Sequence, residues 1–283
     1  MFPNLSPGAV GIRGAGVEDS VHLAKATGFP GVDIDLRQAD AYGIQKTKDL
    51  YAANGVKMGG WGLPVDYQGD EAKFRDTVKG LPRWAKTANN LGCTNFATWM
   101  LSGSNELPFR ENFERMRTRF REMASILKDH GCVLGVEFLG PKTLRSQFKH
   151  EFIWNLPGML DLCDAVGTGN MGILLDSWHW YTSGGDLKQI TSLRPEQVVY
   201  VHVNDAPKGI ERDKQIDNVR AMPMETGVID LPGFLKALDR IGYTGPVTPE
   251  PFNKAFEAMT PLDAARLTVE SMKKAWKAAA LAW

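Results

Sequence analysis

Four short apolar segments in the second half of the chain each end near a residue that can bind a cation or move a proton. They are Gly135-Val136-Glu137-Phe138, Gly172-Ile173-Leu174-Leu175-Asp176, Val201-His202-Val203-Asn204-Asp205 and Thr248-Pro249-Glu250. An ionised carboxylate with apolar flanks is costly to bury unless a partner or a metal compensates it. Taken singly, each reads best as a structural ion pair or as a cap on the next helix. Taken together, three carboxylates and one imidazole meeting at one point repel one another unless a cation lies between them. An oxygen-rich set with a single imidazole suits one hard or borderline divalent ion: Mn²⁺ or Mg²⁺, with Co²⁺ or Zn²⁺ as alternatives. It argues against a closed structural zinc site. His179 follows in Asp176-Ser177-Trp178-His179-Trp180 and can lean over such a centre from just past the strand. Its competing reading is an imidazole packed between two tryptophans.

Such a convergence needs a fold that gathers strand ends. Eight short runs read as strands: Ala9–Ile12, Gly31–Asp35, Val56–Gly60, Asn95–Trp99, Val133–Phe138, Met171–Asp176, Val198–Val203 and Pro246–Glu250. Several are too uniformly apolar to be half-exposed, which suits strands covered on both faces. Helical patterns lie between them, over Val17–Thr27, Ala39–Asn54, Glu71–Leu91, Phe109–His130, Leu156–Val166, Asp186–Leu193, Leu231–Ile241 and Pro261–Ala280. Asn54-Gly55 is a good helix stop, and Asp230 and Thr260 are N-cap candidates. Eight alternations of β and α predict an α/β fold, a single (β/α)8 TIM barrel domain spanning 1–283. All strand C-termini of a parallel barrel open onto one mouth, where the βα loops build the site. Trp61, Trp99, Trp154 and Trp178 are candidate apolar walls for a sugar's C–H faces. Lys142, in a mouth-side loop after Glu137, is a candidate substrate contact.

Composition removes other classes. Among 283 residues, 33 basic side chains balance 33 acidic ones, so no global positive field exists to hold nucleic acid. Three widely spaced cysteines, Cys93, Cys132 and Cys163, form no disulfide framework and no CxxC site, and suit a reducing, cytoplasmic setting. No apolar run approaches the ~18–20 residues of a membrane span. The start, Met1-Phe2-Pro3-Asn4-Leu5-Ser6, lacks a secretory signal's basic and apolar regions. Gly11-Ile12-Arg13-Gly14-Ala15-Gly16 lacks dinucleotide-binding spacing, and neither a P-loop nor a Gly-x-Ser-x-Gly elbow occurs.

The four segments resemble those of the xylose-isomerase-like TIM barrels, the sugar phosphate isomerase/epimerase and AP endonuclease family 2 group. So do Leu174–Trp180, Val201–Pro207, Gly227–Leu231 and Gly242–Phe252 as continuous stretches. The resemblance covers the second half of the barrel; the first half matches in its βα rhythm and in Gly28–Ile34. It implies that Glu137, Asp176, His202 and Glu250 bind one divalent ion, and that Glu137 and Glu250 are also the proton-transfer pair. His179 takes the position that hydrogen-bonds a substrate oxygen. In Pro223-Met224-Glu225-Thr226-Gly227 a Met replaces the family's usual Gly, and Glu225 is kept as a candidate substrate contact. Lys208, Arg212 and Arg220 compete for a basic position after the seventh strand, with Arg220 carried forward.

The implied activity is divalent-metal-dependent isomerisation or epimerisation of a keto-sugar or related polyol. A proton leaves the carbon beside a carbonyl and a metal-stabilised enediolate results. The alternative is a lyase, dehydratase or hydrolase acting on an inosose or 3-keto-glycoside at the same centre. DNA repair, by analogy with endonuclease IV, needs a histidine-rich three-metal cluster, and the chain has five histidines. The expected partner is a small sugar or polyol, with no nucleic acid and no membrane; self-association into a homo-oligomer stays open.

Overall fold

The computed structural model describes residues 1–283. Nine strands form one sheet: β1 (Phe2–Leu5), β2 (Gly31–Val32), β3 (Lys57–Met58), β4 (Trp61–Gly62), β5 (Asn95–Met100), β6 (Val133–Phe138), β7 (Met171–Asp176), β8 (Val198–Val203) and β9 (Pro246–Pro249). Their order is β3-β2-β1-β9-β8-β7-β6-β5-β4, and every neighbouring pair is parallel. β3 and β4 end that order on opposite sides, yet only Gly59 and Gly60 separate them in the chain. The segment 57–62 therefore closes the sheet on itself and serves as one stave of an eight-staved barrel.

β6, β7 and β8 are buried along almost their whole length, as strands covered by both a barrel interior and a helix layer must be. One continuous cluster of 67 buried hydrophobic residues runs from Leu5 to Ala279, so staves and outer helices share a core. Asp230 and Thr260 do cap their helices, accepting from Gly233 N and Asp263 N. Cys93 and Cys132 are buried and Cys163 is half-buried, all as free thiols. No helix is long and apolar enough to cross a membrane.

Three expectations are corrected. The first strand is Phe2–Leu5; within the Ala9–Ile12 run, residues to Val10 belong to a 3-10 turn over Pro7–Val10. Pro7 offers no N–H to a ladder, and Gly11 at φ 75° turns the chain away, although Val10 and Ile12 are buried as strand residues would be. The helix over Ala39–Asn54 is two helices, Leu36–Tyr42 and Ile44–Asn54, broken at Gly43 with φ 105°. Glu71–Leu91 likewise divides into Glu71–Val78 and Leu81–Leu91, because Pro82 belongs in a helix's first turn rather than its interior.

Candidate active site

Parallel register brings the four chemistry-bearing residues to one mouth. His202 on β8 is the ladder partner of both Asp176 on β7 and Thr248 on β9, and Glu250 directly follows β9. Glu137 lies near the end of β6. One ligand atom from each of Glu137, Asp176, His202 and Glu250 lies within 4.8 Å of the others. A cation bound at ~2.0–2.2 Å holds opposite ligands roughly 4.0–4.4 Å apart, so this donor set fits one ion after shifts of a few tenths of an ångström. Its chemistry, three carboxylates and an imidazole, also matches a hard or borderline divalent cation.

Each member is held from behind. Asp176 Oδ1 accepts from Trp178 N at 2.7 Å, capping the helix Ser177–Thr182. The same carboxylate receives Asn204 Nδ2 at 3.1 Å and Arg220 Nη1 at 2.7 Å. Asp176 is thus both a helix cap and a member of the cluster. Asn204 Oδ1 accepts from the Glu250 backbone N–H at 3.0 Å, tying two strand ends together. His202 Nδ1 lies 3.1 Å from Glu137 Oε1 and 3.3 Å from Glu250 Oε2. Burial would push His202 down, but the Glu250 and Glu137 carboxylates outweigh it and hold the imidazole well above its usual pKa. Burial raises Glu137. It acts on Glu250 too, but there His202 and Arg220 win and hold the carboxyl below its usual range. Two carboxylates on one imidazole are thus driven apart by their surroundings.

Burial and the Arg220 charge push His179 down to about 3, so its ring is neutral. Gly140 N donates to His179 Nδ1 at 3.2 Å, while Nε2 meets the Arg220 guanidinium, which can only donate, so Gly140 and Arg220 compete for the single acceptor nitrogen of the neutral ring. Nε2 lies 4.0 Å from Glu137 Oε2 and 3.1 Å from Arg220 Nη2, facing the cluster. Arg220 also bonds Asp217 and Glu250, and its guanidinium stacks 4.7 Å from the Phe252 ring centroid. Asp205 fixes the long segment that delivers Arg220. Its carboxylate accepts from the backbone N–H groups of Ala206, Thr226, Gly227 and Ile229.

Two chambers meet at the cluster. One of about 450 Å³ runs from Glu137, His202 and Glu250 to Asp33 and Asp35; the other, about 390 Å³, is lined by His179, Arg220 and Phe252. Trp61 lines the first, its Nε1 donating to Cys93 O at 2.6 Å, and Trp99 lines both. Trp178 is wholly buried, and Trp154 lies under the Arg145 guanidinium. Lys142 pairs with Asp213 at 3.0 Å, and Glu225 accepts from Met222 N at 2.7 Å. Neither is brought into the cluster, and Lys208 and Arg212 are exposed.

Sequence reasoning passed over Asn204 and a polar floor of Asn4, Asp33, Tyr200 and Thr248. Asn204 directly follows a strand that ends in His202-Val203, and the polar pair Asn204-Asp205 at that strand end was the signal. Asp33 closes a short apolar run just as Asp176 does.

Residues 21–275 match the family model described as xylose isomerase-like TIM barrel. Over 213 residues the chain is 24% identical to the inosose isomerase of Bacillus velezensis, covering 74% of this chain and 70% of that one. Over 250 residues it is 23% identical to the ketose 3-epimerase of Arthrobacter globiformis, covering 86% and 80%. A shorter stretch of 99 residues is 34% identical to the 3-dehydroshikimate dehydratase of Pseudomonas aeruginosa, 35% of this chain and 16% of that one. Among solved structures, a xylose isomerase domain protein from Alicyclobacillus acidocaldarius superposes with TM-score 0.87 at 29% identity, covering 99% of each chain. The IOLI protein, crystallised with a zinc atom, gives 0.80 at 16% identity, covering 97% and 98%.

Proposed function

We infer the function from the premise that the chain belongs to the xylose isomerase-like TIM barrel family. On that footing it is a divalent-metal-dependent isomerase or epimerase acting on a keto-sugar or related polyol. The observation that carries this reading is the meeting of Glu137, Asp176, His202 and Glu250 at one point of the barrel mouth. These four would hold the ion. The zinc of the IOLI protein and the inosose isomerase and ketose 3-epimerase relatives support a divalent cation and a sugar-like substrate. The cation is one of Mn²⁺, Mg²⁺, Co²⁺ or Zn²⁺.

Held by these four residues, a divalent ion would supply Lewis-acid polarisation of a substrate carbonyl. Glu137 and Glu250 are the proton-transfer pair: one carboxylate takes the proton beside the carbonyl, and its partner returns one. Return to the same carbon from the other face is epimerisation; return to the adjacent carbon is aldose–ketose isomerisation. His179, oriented by Gly140 and Arg220, presents its ring edge to a substrate oxygen. Arg220 steadies the carboxylates from the second chamber, and Trp61 gives the first an apolar wall. Lys142 and Glu225 are held outside the cluster by Asp213 and the Met222 backbone, and this reaction needs neither. The chain is read as one barrel domain in a reducing, cytoplasmic setting, which its free thiols support.

The stretch shared with a 3-dehydroshikimate dehydratase favours one other outcome, elimination from an inosose or 3-keto-glycoside at the same centre. Deuterium exchange from solvent into a panel of keto-sugars and inososes tests both. Exchange with rearranged product supports the isomerase, exchange with a new double bond supports the lyase, and no exchange with any compound ends both.

A further inference from the structure

We propose that Asp33 is the specificity-determining residue of the 450 Å³ chamber: its carboxylate anchors a substrate hydroxyl, and the acidic lining around it admits uncharged polyhydroxy carbonyl compounds while rejecting their phosphate esters and carboxylic acids. This rests on the reading of Glu137, Asp176, His202 and Glu250 as a cation-binding reaction centre.

Asp33 lies just past β2 and lines the chamber that starts at Glu137, His202 and Glu250. Its carboxylate is fixed from three directions. Oδ1 accepts from Asn4 Nδ2 at 2.9 Å and from Gly60 N at 3.0 Å, while Oδ2 accepts from the Tyr200 hydroxyl at 2.5 Å. Asn4 is fully buried and is itself braced against Thr248 at 2.9 Å. A carboxylate offers about four acceptor positions. Three donors are supplied by the protein, so one position on Oδ2 is left for a group in the chamber. A rigid acceptor facing a cavity with one position free is what recognition of a hydroxyl requires. Burial raises Asp33 to about 6 against the hydrogen bonds of Tyr200, Asn4 and Gly60, so the group is ionised at pH 7.5.

The charge around it supplies the second half of the proposal. The ionisable groups lining the chamber are Asp33, Asp35, Glu137, Glu250, Tyr200 and His202, with no Lys or Arg among them. Asp33 and Asp35 lie apart from the four residues that would hold the ion, and no Lys or Arg of the lining offsets them, so the far end of the chamber is negative. A phosphate or carboxylate on the substrate would meet that charge in a confined space, a like-charge contact that costs far more than it does in water. Ser6, Gln38 and Thr98 add neutral hydrogen-bonding groups, while Trp61 and Ile34 give the C–H faces a surface.

The test uses the metal-loaded wild-type protein with neutral ketoses and inososes, their phosphate esters and the corresponding acids, followed first by solvent deuterium exchange. The neutral compounds should exceed their anionic counterparts by at least ~100-fold in kcat/KM. Asp33→Asn, tested with the wild type on a series of monodeoxy analogues, should lower kcat/KM for the intact substrate by about 10- to 100-fold, the scale of a hydrogen bond to a charged group. On the analogue that lacks the anchored hydroxyl it should change nothing, which a merely structural Asp33 would not reproduce. An anionic counterpart used as well as its neutral parent overturns the inference and leaves the reaction centre standing. So does an Asp33→Asn loss equal across all analogues. No exchange with any compound overturns both. The wild-type panel decides the charge claim even if the variant does not fold.

Discussion

The two sides of this barrel are built on different principles. β6, β7 and β8 are six residues each, and they carry Glu137, Asp176 and His202 at or near their ends. Backbone ladders fix those residues against one another, as the pairing of His202 with Asp176 illustrates. β2, β3 and β4 are two residues each. Little ladder exists there to position anything, and Asp33 is held by side chains and a loop N–H instead. The lesson is a division of labour. Three of the four residues proposed to hold the ion rest on main-chain geometry that substitutions scarcely touch. The chamber wall around Asp33 rests on a few side chains that substitutions can change.

The comparison breaks first at the cation. Chelation should abolish turnover and added Mn²⁺ or Co²⁺ should restore it; a fully active metal-free preparation would show that the long-strand cluster is not a metal centre. Next come Glu137→Gln and Glu250→Gln, each expected to lower turnover at least ~100-fold, the scale of losing a general base. Near-normal rates in either variant would remove that residue from the proton-transfer pair. His179→Ala should cost about 10-fold in kcat/KM, the low end for one hydrogen bond at a charged transition state, with metal content unchanged by elemental analysis. Loss of metal would make it a ligand. On the short-strand side, Trp61→Phe gives up the bond to Cys93 O and should cost about 1 kcal/mol in urea unfolding. Lys142→Ala should be the smallest, within ~0.5 kcal/mol and silent in kcat/KM, because it removes only a solvent-exposed pair.

A pH series sharpens the same contrast. Asp33 holds its proton more tightly in the folded protein than in the unfolded chain, with its pKa raised to about 6 from 3.8. Its contribution to stability is therefore full below about 4 and is lost as pH rises through 6. Asp33→Asn should flatten that part of the stability profile; an unchanged slope would show that Asp33 is not held as described.

The same division explains what could be read before the structure. Long strands advertise themselves: Val133–Phe138, Met171–Asp176 and Val198–Val203 are apolar, β-branched and unbroken, and their bounds agree with the observed strands. Once they are placed, the meeting of their terminal carboxylates and imidazole follows from parallel register. Two-residue strands leave no such trace. Phe2–Leu5 contains Pro3, which argues against a ladder strand, whereas Val10 and Ile12 imitate one from inside a turn. Gly43 and Pro82 each interrupt an otherwise continuous helical pattern. Arg220 was legible only as one of three competing basic residues, because a segment anchored on Asp205 rather than a regular element carries it to the site. Asp33 and Asn204 needed the fold, since the partners that give them meaning are far away in the chain.

Gly59 sits where the barrel closes. A β-carbon there would fall on Asp33 Oδ1 and on the Asn4 amide, 2.1 and 2.6 Å away. As long as the aspartate is kept, its codon for glycine has no neutral neighbour to drift to. Replacing the aspartate alone leaves the ban on a methyl group there in place, because both polar atoms of the Asn4 amide stay 2.6 Å from that β-carbon. A descendant that reshapes this wall should therefore change Asp33 and Asn4 before it changes Gly59.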